Sequence, residues 1–337
     1  MHCRKCAAPA GEAPAPHEQM RVFRKLEDVP AGFGPTLLSV GNFDGVHRAH
    51  ARVLANIVPR AREQGLKSMA VTFEPHPVRI LRPDSGLKLL TPTPEKLHLL
   101  DATGLDAVLL LPFTRDLSLM SPHAFAHDIL KKGLQAREVH EGFNFHFGNK
   151  AAGDVDLLAK FGREMGFEVK LYPELRLRGE PVSSTQIRKL LADGRVSRAR
   201  HLLARPFSIL STAGRGRGYG SKYTVPTINL SRYEELVPRD GVYVTRTRVA
   251  EECFDSVTNV GNRPTFGTEL FAIETHLLNF HPIELNPETE VEIHFLQRLR
   301  DEIKFPSVEA LREQIGKDVR KARRYFRLLR LRDRANP

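Results

Sequence analysis

Apolar and polar residues are patterned differently in the two halves of the chain. Up to residue 206, short apolar runs alternate with stretches in which apolar residues recur every three or four positions. The runs 36–40 (TLLSV), 67–73 (KSMAVTF) and 107–112 (AVLLLP) read as buried strands, being apolar for most of their length rather than on alternate positions, and 138–140 gives another strand. The segment 51–64 reads as a helix that turns Val53, Leu54, Ile57 and Val58 inward and closes near Gly65, with Pro59 placed to kink it. A short helix is expected over 93–103, and another over 121–130 with Ser121 as cap and Pro122 in the first position. Two more follow. One is capped by Ser183 or Ser184, carries Ile187, Leu190 and Leu191 in helical period and ends at Gly194; the other spans 196–204. This alternation predicts an α/β domain on a doubly wound parallel sheet with right-handed crossovers.

After Arg205-Pro206 the texture changes. From Phe207 onward short alternating strands are separated by Gly, Pro and Asn turns, and no helix is expected until Ser307, which caps a last one with Glu309 in its first turn. That pattern predicts an antiparallel β-barrel with a terminal helix. The expected organisation is a disordered tail over 1–19, a first domain over 20–195, a linking helix over 196–206 and a second domain over 207–337.

Candidate chemistry sits where strands end. After the strand 36–40 the chain turns through Gly41, Asn42, Phe43, Asp44 and Gly45 into a helix N-terminus. Unpaired N–H groups, a positive dipole end and two glycines suit this turn to phosphates. His47 and His50 share one face of the new helix, where two imidazoles can donate to a triphosphate and steady the charge of phosphoryl or nucleotidyl transfer. By spacing alone a surface histidine pair explains them as well. Glu74-Pro75-His76-Pro77 makes a rigid extended loop at a strand's carboxyl end. In Gly142–Gly148 (GFNFHFG), Asn144 offers amide groups between two phenylalanines, the mixture a flavin or adenine ring needs, although core packing accounts equally for the phenylalanines.

The second half has its own candidates. Gly214, Gly216 and Gly218, interleaved with Arg215 and Arg217 and followed by Lys222, can cradle phosphates or contact RNA. In the next strand, VPTINL, Thr227 and Asn229 share a face and offer hard oxygens suited to Mg²⁺. In AIETHLLNF, Glu274 shares a face with Leu278 and Phe280; that face is expected to point into the barrel, where a carboxylate needs a task.

GNFDGVHRAH resembles the signature of the bifunctional riboflavin kinase/FMN adenylyltransferase family, the prokaryotic FAD synthetases, with Ala49 where the family has glycine. The segments EPHP, GFNFHFG and SSTQIR resemble further motifs of its Rossmann-like nucleotidyltransferase domain. PTIN, NVGNRPTF and RLRDEIKF resemble motifs of its kinase domain, though Thr224-Val225 stand in place of the usual Gly-Phe. The resemblance covers about residues 20 to 330, with both motif sets in order. It implies that the barrel phosphorylates riboflavin with ATP to give FMN, and that the first domain transfers AMP from ATP to FMN, giving FAD and pyrophosphate. His47, His50 and Arg188 would orient and neutralise the triphosphate, Ser183, Ser184 and Thr185 would contact the nucleotide, and His76 and Asn144 the flavin. In the barrel, Glu274 would be the general base, Thr227 and Asn229 would hold Mg²⁺ with ATP, and Arg300 and Glu302 would lie at the flavin end. FMN and FAD are then substrate and product, not prosthetic groups.

Bulk properties change little. With 337 residues, 41% hydrophobic and 27% charged, the chain fits two globular domains. No apolar stretch is long enough for a membrane helix and the start lacks a signal-peptide core, so a cytoplasmic enzyme without membrane contact is expected. The net charge of +11 suits polyphosphate substrates, and the basic stretch 317–334 reads as a solvated helix face rather than a nucleic-acid surface. Three cysteines make no disulfide framework, and the lone Cys3-x-x-Cys6 has no second pair to complete a metal site. A homo-oligomer is left open. A nucleotidyltransferase for another mononucleotide, or a basic RNA-binding protein, is the competing reading.

Overall fold

A computed structural model describes residues 19–214, 227–231, 233–265, 268–281, 286 and 288–335. Contacts divide the chain into two compact units between Ser184 and Thr185.

The first unit is built on β1 (Arg21–Phe23), β2 (Thr36–Val40), α1 (Arg48–Glu63), β3 (Lys67–Glu74), α2 (Pro77–Leu81), α3 (Thr93–Asp101) and β4 (Ala107–Pro112). It continues with α4 (Arg115–Leu119), α5 (Pro122–Ala124), β5 (Ala136–Gly142), α6 (Val155–Met165), β6 (Glu168–Tyr172) and the hairpin β7 (Arg176–Leu177) and β8 (Glu180–Pro181). Six of the strands form a parallel sheet in the order β1-β4-β3-β2-β5-β6. Apolar clusters cover both faces. One gathers Leu38, Val40, Val71, Phe125, Ile129, Phe147 and Phe161; the other gathers Leu37, Leu54, Ile57, Ala70, Leu100 and Val108. Burial on both sides is why β2 and β4 read as mostly apolar runs rather than alternating ones.

The strands β1 and β6 do not stand out in the sequence. They are the sheet's edges, and RVF and EVKLY keep exposed positions that dilute the apolar signal. Ser121 caps α5 as expected, its Oγ accepting from Ala124 N–H at 3.1 Å. Beyond it the helix widens to a π-helix over Phe125–Gly133, with Leu134 N–H donating to Ile129 O at 2.9 Å. Pro59 lies inside α1 without ending it.

The second unit takes in α8 (Val196–Leu203) and most of α7 (Ser184–Ala192). Arg239 N–H donates to Leu191 O at 2.9 Å, and Ser197 Oγ donates to Leu296 O at 3.2 Å, so these helices pack on the antiparallel sheet that follows. Its strands are β9 (Phe207–Thr212), β10 (Thr227–Asn229), β11 (Gly241–Val249), β12 (Glu252–Thr265), β13 (Thr268–Leu277) and β14 (Glu290–Arg300), and the helix α9 (Val308–Ala335) ends the chain. The order is β10-β13-β12-β11-β14-β9, and a bridge between Ala213 and Leu230 joins the two edges into a barrel.

The barrel interior is partly polar. Thr245, Thr247, Ser256, Thr258 and Thr275 are fully buried and close a ring of hydroxyl–hydroxyl bonds of 2.7–3.1 Å. Each hydroxyl can donate once and accept once around it, so none is left unsatisfied. The outer face is apolar where α9 lies on it, with Ala322 and Phe326 against Val242, Val244, Val257 and Leu296.

Candidate active sites

The first cluster stands where β2 ends. Gly41 N–H donates to Val71 O at 2.9 Å, so the chain is still tethered to β3 as it leaves the sheet. It then turns with left-handed backbone at Phe43 (φ 47°), Gly45 (φ 86°) and Val46 (φ 36°). At a non-glycine residue this costs about 1–3 kcal/mol and persists only where the surroundings over-determine it. Here they do. Asp44 is buried and its carboxylate accepts from Leu90 N–H at 2.9 Å and Thr91 N–H at 3.0 Å. Gly45 N–H donates to Thr91 Oγ1 at 3.0 Å, and Ser184 Oγ donates to Asp44 O at 2.8 Å. The Asp44 carboxylate therefore staples the turn to a neighbouring loop.

His47 caps α1, its Nδ1 accepting from His50 N–H at 3.4 Å. The two rings stack 3.7 Å apart, and Phe43 meets His50 edge-on at 5.0 Å. His50 Nδ1 is buried with no hydrogen-bond partner. Burial first, then the charges of His47 and Lys96, push the His50 pKa well below the usual imidazole value, so the ring is neutral at pH 7. A buried, unsatisfied nitrogen is costly and calls for a partner from a ligand.

Lys96 is a member of this cluster that the sequence reading passed over. It is buried on α3, and its Nζ donates to Thr72 Oγ1 at 3.1 Å, Phe73 O at 3.4 Å and Asn42 O at 3.5 Å. The available signal was its place one helical turn before the buried Leu100, on a face where lysine is out of character.

The remaining residues of the α/β unit separate. His76 lies at the carboxyl end of β3 and caps α2, its Nδ1 accepting from Val78 N–H at 3.3 Å. Phe145 and Phe147 stack at 5.4 Å and join the core, whereas Phe143 and Asn144 are exposed beyond the end of β5. Ser183 and Ser184 are half-buried at the start of α7 and Thr185 is exposed. Arg188, half-buried on α7, belongs to the second unit.

The barrel's cluster is made by register. Asn229 on β10 lies opposite Glu274 on β13, and Glu274 lies opposite Asn259 on β12, giving a row of amide, carboxylate and amide across three strands. The expected inward face for Glu274 is reversed. Ile273, Thr275 and Leu277 are buried in the interior, so Glu274 shares the outer, half-buried face with Leu278, which packs in the cluster beneath α9. The apolar neighbours that suggested an inward face are those under α9. Thr227, two residues before Asn229 on the same face, is exposed. Asn259 Nδ2 donates to Glu302 Oε1 at 3.3 Å, and Glu302 sits against Gly261 where any side chain would collide with it. The Arg300 guanidinium is engaged elsewhere, donating to Asp318 Oδ2 on α9 at 2.9 Å and to Asp301 O at 2.9 Å. Gly214 N–H donates to Asn229 O at 2.7 Å. Gly216, Gly218 and Lys222 lie outside the described residues, as do Cys3 and Cys6.

Two polar clusters on two unrelated folds fit a bifunctional phosphate-transfer enzyme by class. The FAD synthetase family profile matches residues 31–186 and the riboflavin kinase profile residues 203–326. The bifunctional riboflavin kinase/FMN adenylyltransferase of Pseudomonas fluorescens is 35% identical over 305 residues, covering 90% of this chain and 97% of that protein. The protein of the same description from Escherichia coli is 33% identical over 293 residues, covering 87% and 93%. The crystal structure of a macrolide-efflux protein from Streptococcus pneumoniae is similar with a TM-score of 0.81 at 25% identity, covering 91% of this chain and 99% of that one. Efflux is the description of that protein; among the described residues here, no helix is long and apolar enough to cross a membrane. The chain belongs to the bifunctional riboflavin kinase/FMN adenylyltransferase family and is an enzyme with both activities.

Proposed function

We propose that the two activities are divided between the two units as their clusters suggest. In the α/β unit the turn Gly41–Gly45 receives the triphosphate of ATP, with Ser183 and Ser184 completing the nucleotide contacts. The phosphate of FMN attacks the α-phosphate and pyrophosphate leaves, so no protein nucleophile is needed. His47 and His50 orient the triphosphate and offset the charge passing to the leaving group, and His76 and Asn144 face the flavin nucleotide. The observation that carries this is His50 Nδ1, buried beside an anion-suited turn and without a partner.

In the barrel, Glu274 accepts the proton of the ribityl hydroxyl of riboflavin as it attacks the γ-phosphate of ATP. Thr227 and Asn229 suit Mg²⁺ because hydroxyl and amide oxygens alternate onto one face with the Glu274 carboxylate opposite Asn229. That ion, when bound, would neutralise phosphate charge. Gly214, Gly216, Gly218 and Lys222 approach the phosphates, and Glu302, held by Asn259, lies toward the flavin end. Arg300 serves that end by fastening β14 to α9 through Asp318. The same reading puts the enzyme in the cytoplasm, where ATP is at hand.

The test is to incubate the protein with riboflavin, Mg²⁺ and ATP and to separate the flavins by chromatography. Wild type should make FAD, His47→Ala should stall at FMN, and Glu274→Ala should make FAD only from supplied FMN. Loss of both steps in either variant, or of neither, refutes the division.

A further inference from the structure

The order of the parallel sheet reverses between β2 and β5: β3 and β4 lie on one side of that pair, β6 on the other. In open α/β sheets ligands enter the crevice at the carboxyl ends of such a pair. Here β2 and β5 pair at Thr36↔Ala136, Leu37↔Glu138 and Leu38↔Val139 and no further, although the strands run on to Val40 and Gly142. On their other sides pairing continues, β2 with β3 through Val40↔Val71 and β5 with β6 through Gly142↔Tyr172. Only the switch-point seam opens.

Glu141 occupies that seam. The residue is 3% exposed, and its Oε1 accepts from Val40 N–H at 2.6 Å. A side chain has taken the place of the bond that the β5 backbone would have made. Val40 directly precedes Gly41, the first residue of the turn that leads to His47. Burial pushes the carboxyl pKa well up, opposed by the bonds from Val40 N–H and the Ser39 hydroxyl. Unlike Glu138 two residues earlier, which is paired with Arg60, it has no cation against it among the described residues.

We infer that Glu141 is a positioning residue for adenylylation: its carboxyl group keeps β2 and β5 apart at their carboxyl ends and fixes Val40, so that the turn Gly41–Gly45 enters the crevice in the geometry that ATP requires. This rests on the proposed role of that turn. A glutamine would offer Val40 N–H the same acceptor at the same reach. An aspartate is one methylene short, and a leucine of similar bulk offers nothing.

The experiment uses the full-length chain with Glu141→Gln, Glu141→Leu and Glu141→Asp, and His47→Ala as a marker of the site. KM for ATP and kcat are measured for FAD formation from FMN, and riboflavin phosphorylation is measured on the same preparations. Glu141→Leu should raise KM for ATP in FAD formation by about tenfold, with riboflavin phosphorylation unchanged. Glu141→Gln should stay within about twofold of wild type in both constants. A contact that serves stability alone would lower the active fraction, and so kcat, and leave KM where it was. Wild-type KM in Glu141→Leu, or equal damage in the glutamine variant, overturns the inference. If the leucine variant does not fold, Glu141→Asp must show the rise in KM while Glu141→Gln does not; otherwise the inference fails. Unchanged FAD formation in His47→Ala removes the role of the turn itself, and this inference with it.

Discussion

The α/β unit and the barrel hold the polar groups proposed for phosphate chemistry in opposite ways. In the first, the turn and both histidines come from one continuous stretch, 41–50, at the end of one strand. In the second, Asn229, Glu274 and Asn259 are far apart in sequence and adjacent only because three antiparallel strands run in one register. The first site depends on backbone conformation, as the left-handed Phe43 and Val46 show. The second depends on strand pairing, where a slip of one residue would carry Glu274 to the hydroxyl-lined interior. The interiors differ in the same sense. The α/β core is apolar on both faces of its sheet, whereas the barrel closes around a ring of hydroxyls.

The sharpest way to break the comparison is through the two sites. Glu274→Gln keeps the shape and the register but removes the base, and should lower riboflavin phosphorylation by about 10²–10⁴-fold with FAD formation from FMN intact. His47→Ala should do the reverse, lowering FAD formation by about 10²–10³-fold with phosphorylation intact, both read from flavin chromatography. The next effect is on stability. Thr258→Val removes one member of the barrel's ring and leaves Thr245 and Thr275 each short of a partner. It should cost about 1–3 kcal/mol in denaturant unfolding, confined to the barrel and leaving FAD formation from FMN unchanged in buffer.

The smallest effect is on acid stability. Burial works to raise the Glu138 pKa, but bonds from Arg60, Gln64 and His140 outweigh it and hold the carboxyl at about 2. In the barrel, Glu292 is likewise held at about 2 by His294 and Arg248 against its burial. A carboxyl depressed in the folded state stabilises fully above its unfolded pKa of about 4.3, and that contribution is lost as pH falls through the folded value. Circular dichroism should therefore show Glu138→Gln flattening the pH dependence of stability of the α/β unit between about pH 4.5 and 2, and Glu292→Gln that of the barrel. A curve unchanged by both substitutions would mean that neither group is depressed in solution.

Much of this was legible in the sequence because the signals were local. Strand, turn and helix over 36–64, the cap at Ser121, the change of texture after Arg205-Pro206 and both motif sets are short-range patterns, and the elements stand where those patterns put them. Other features were not legible, because they depend on what a side chain meets from elsewhere in the chain. Lys96 gave only the faint signal of its helix face, and its partners are set where the ends of β2 and β3 close over it. Glu141 is one of two glutamates in a strand of mixed polarity until β2 and β5 part beside it.

From the sequence alone came the two folds and the residues of the turn proposed for phosphate, since each is written in contiguous residues whose backbone preferences and periodicity act over a few positions, while the resemblance of the motifs implied the family and its two activities. Tertiary structure decided the rest. It turned Glu274 to the outer face between two amides, engaged Arg300 with α9, left His50 Nδ1 without a partner and placed an uncompensated carboxyl at the switch point. Burial, strand register and the charge of distant neighbours fix these outcomes, and none of the three is a property of a segment on its own.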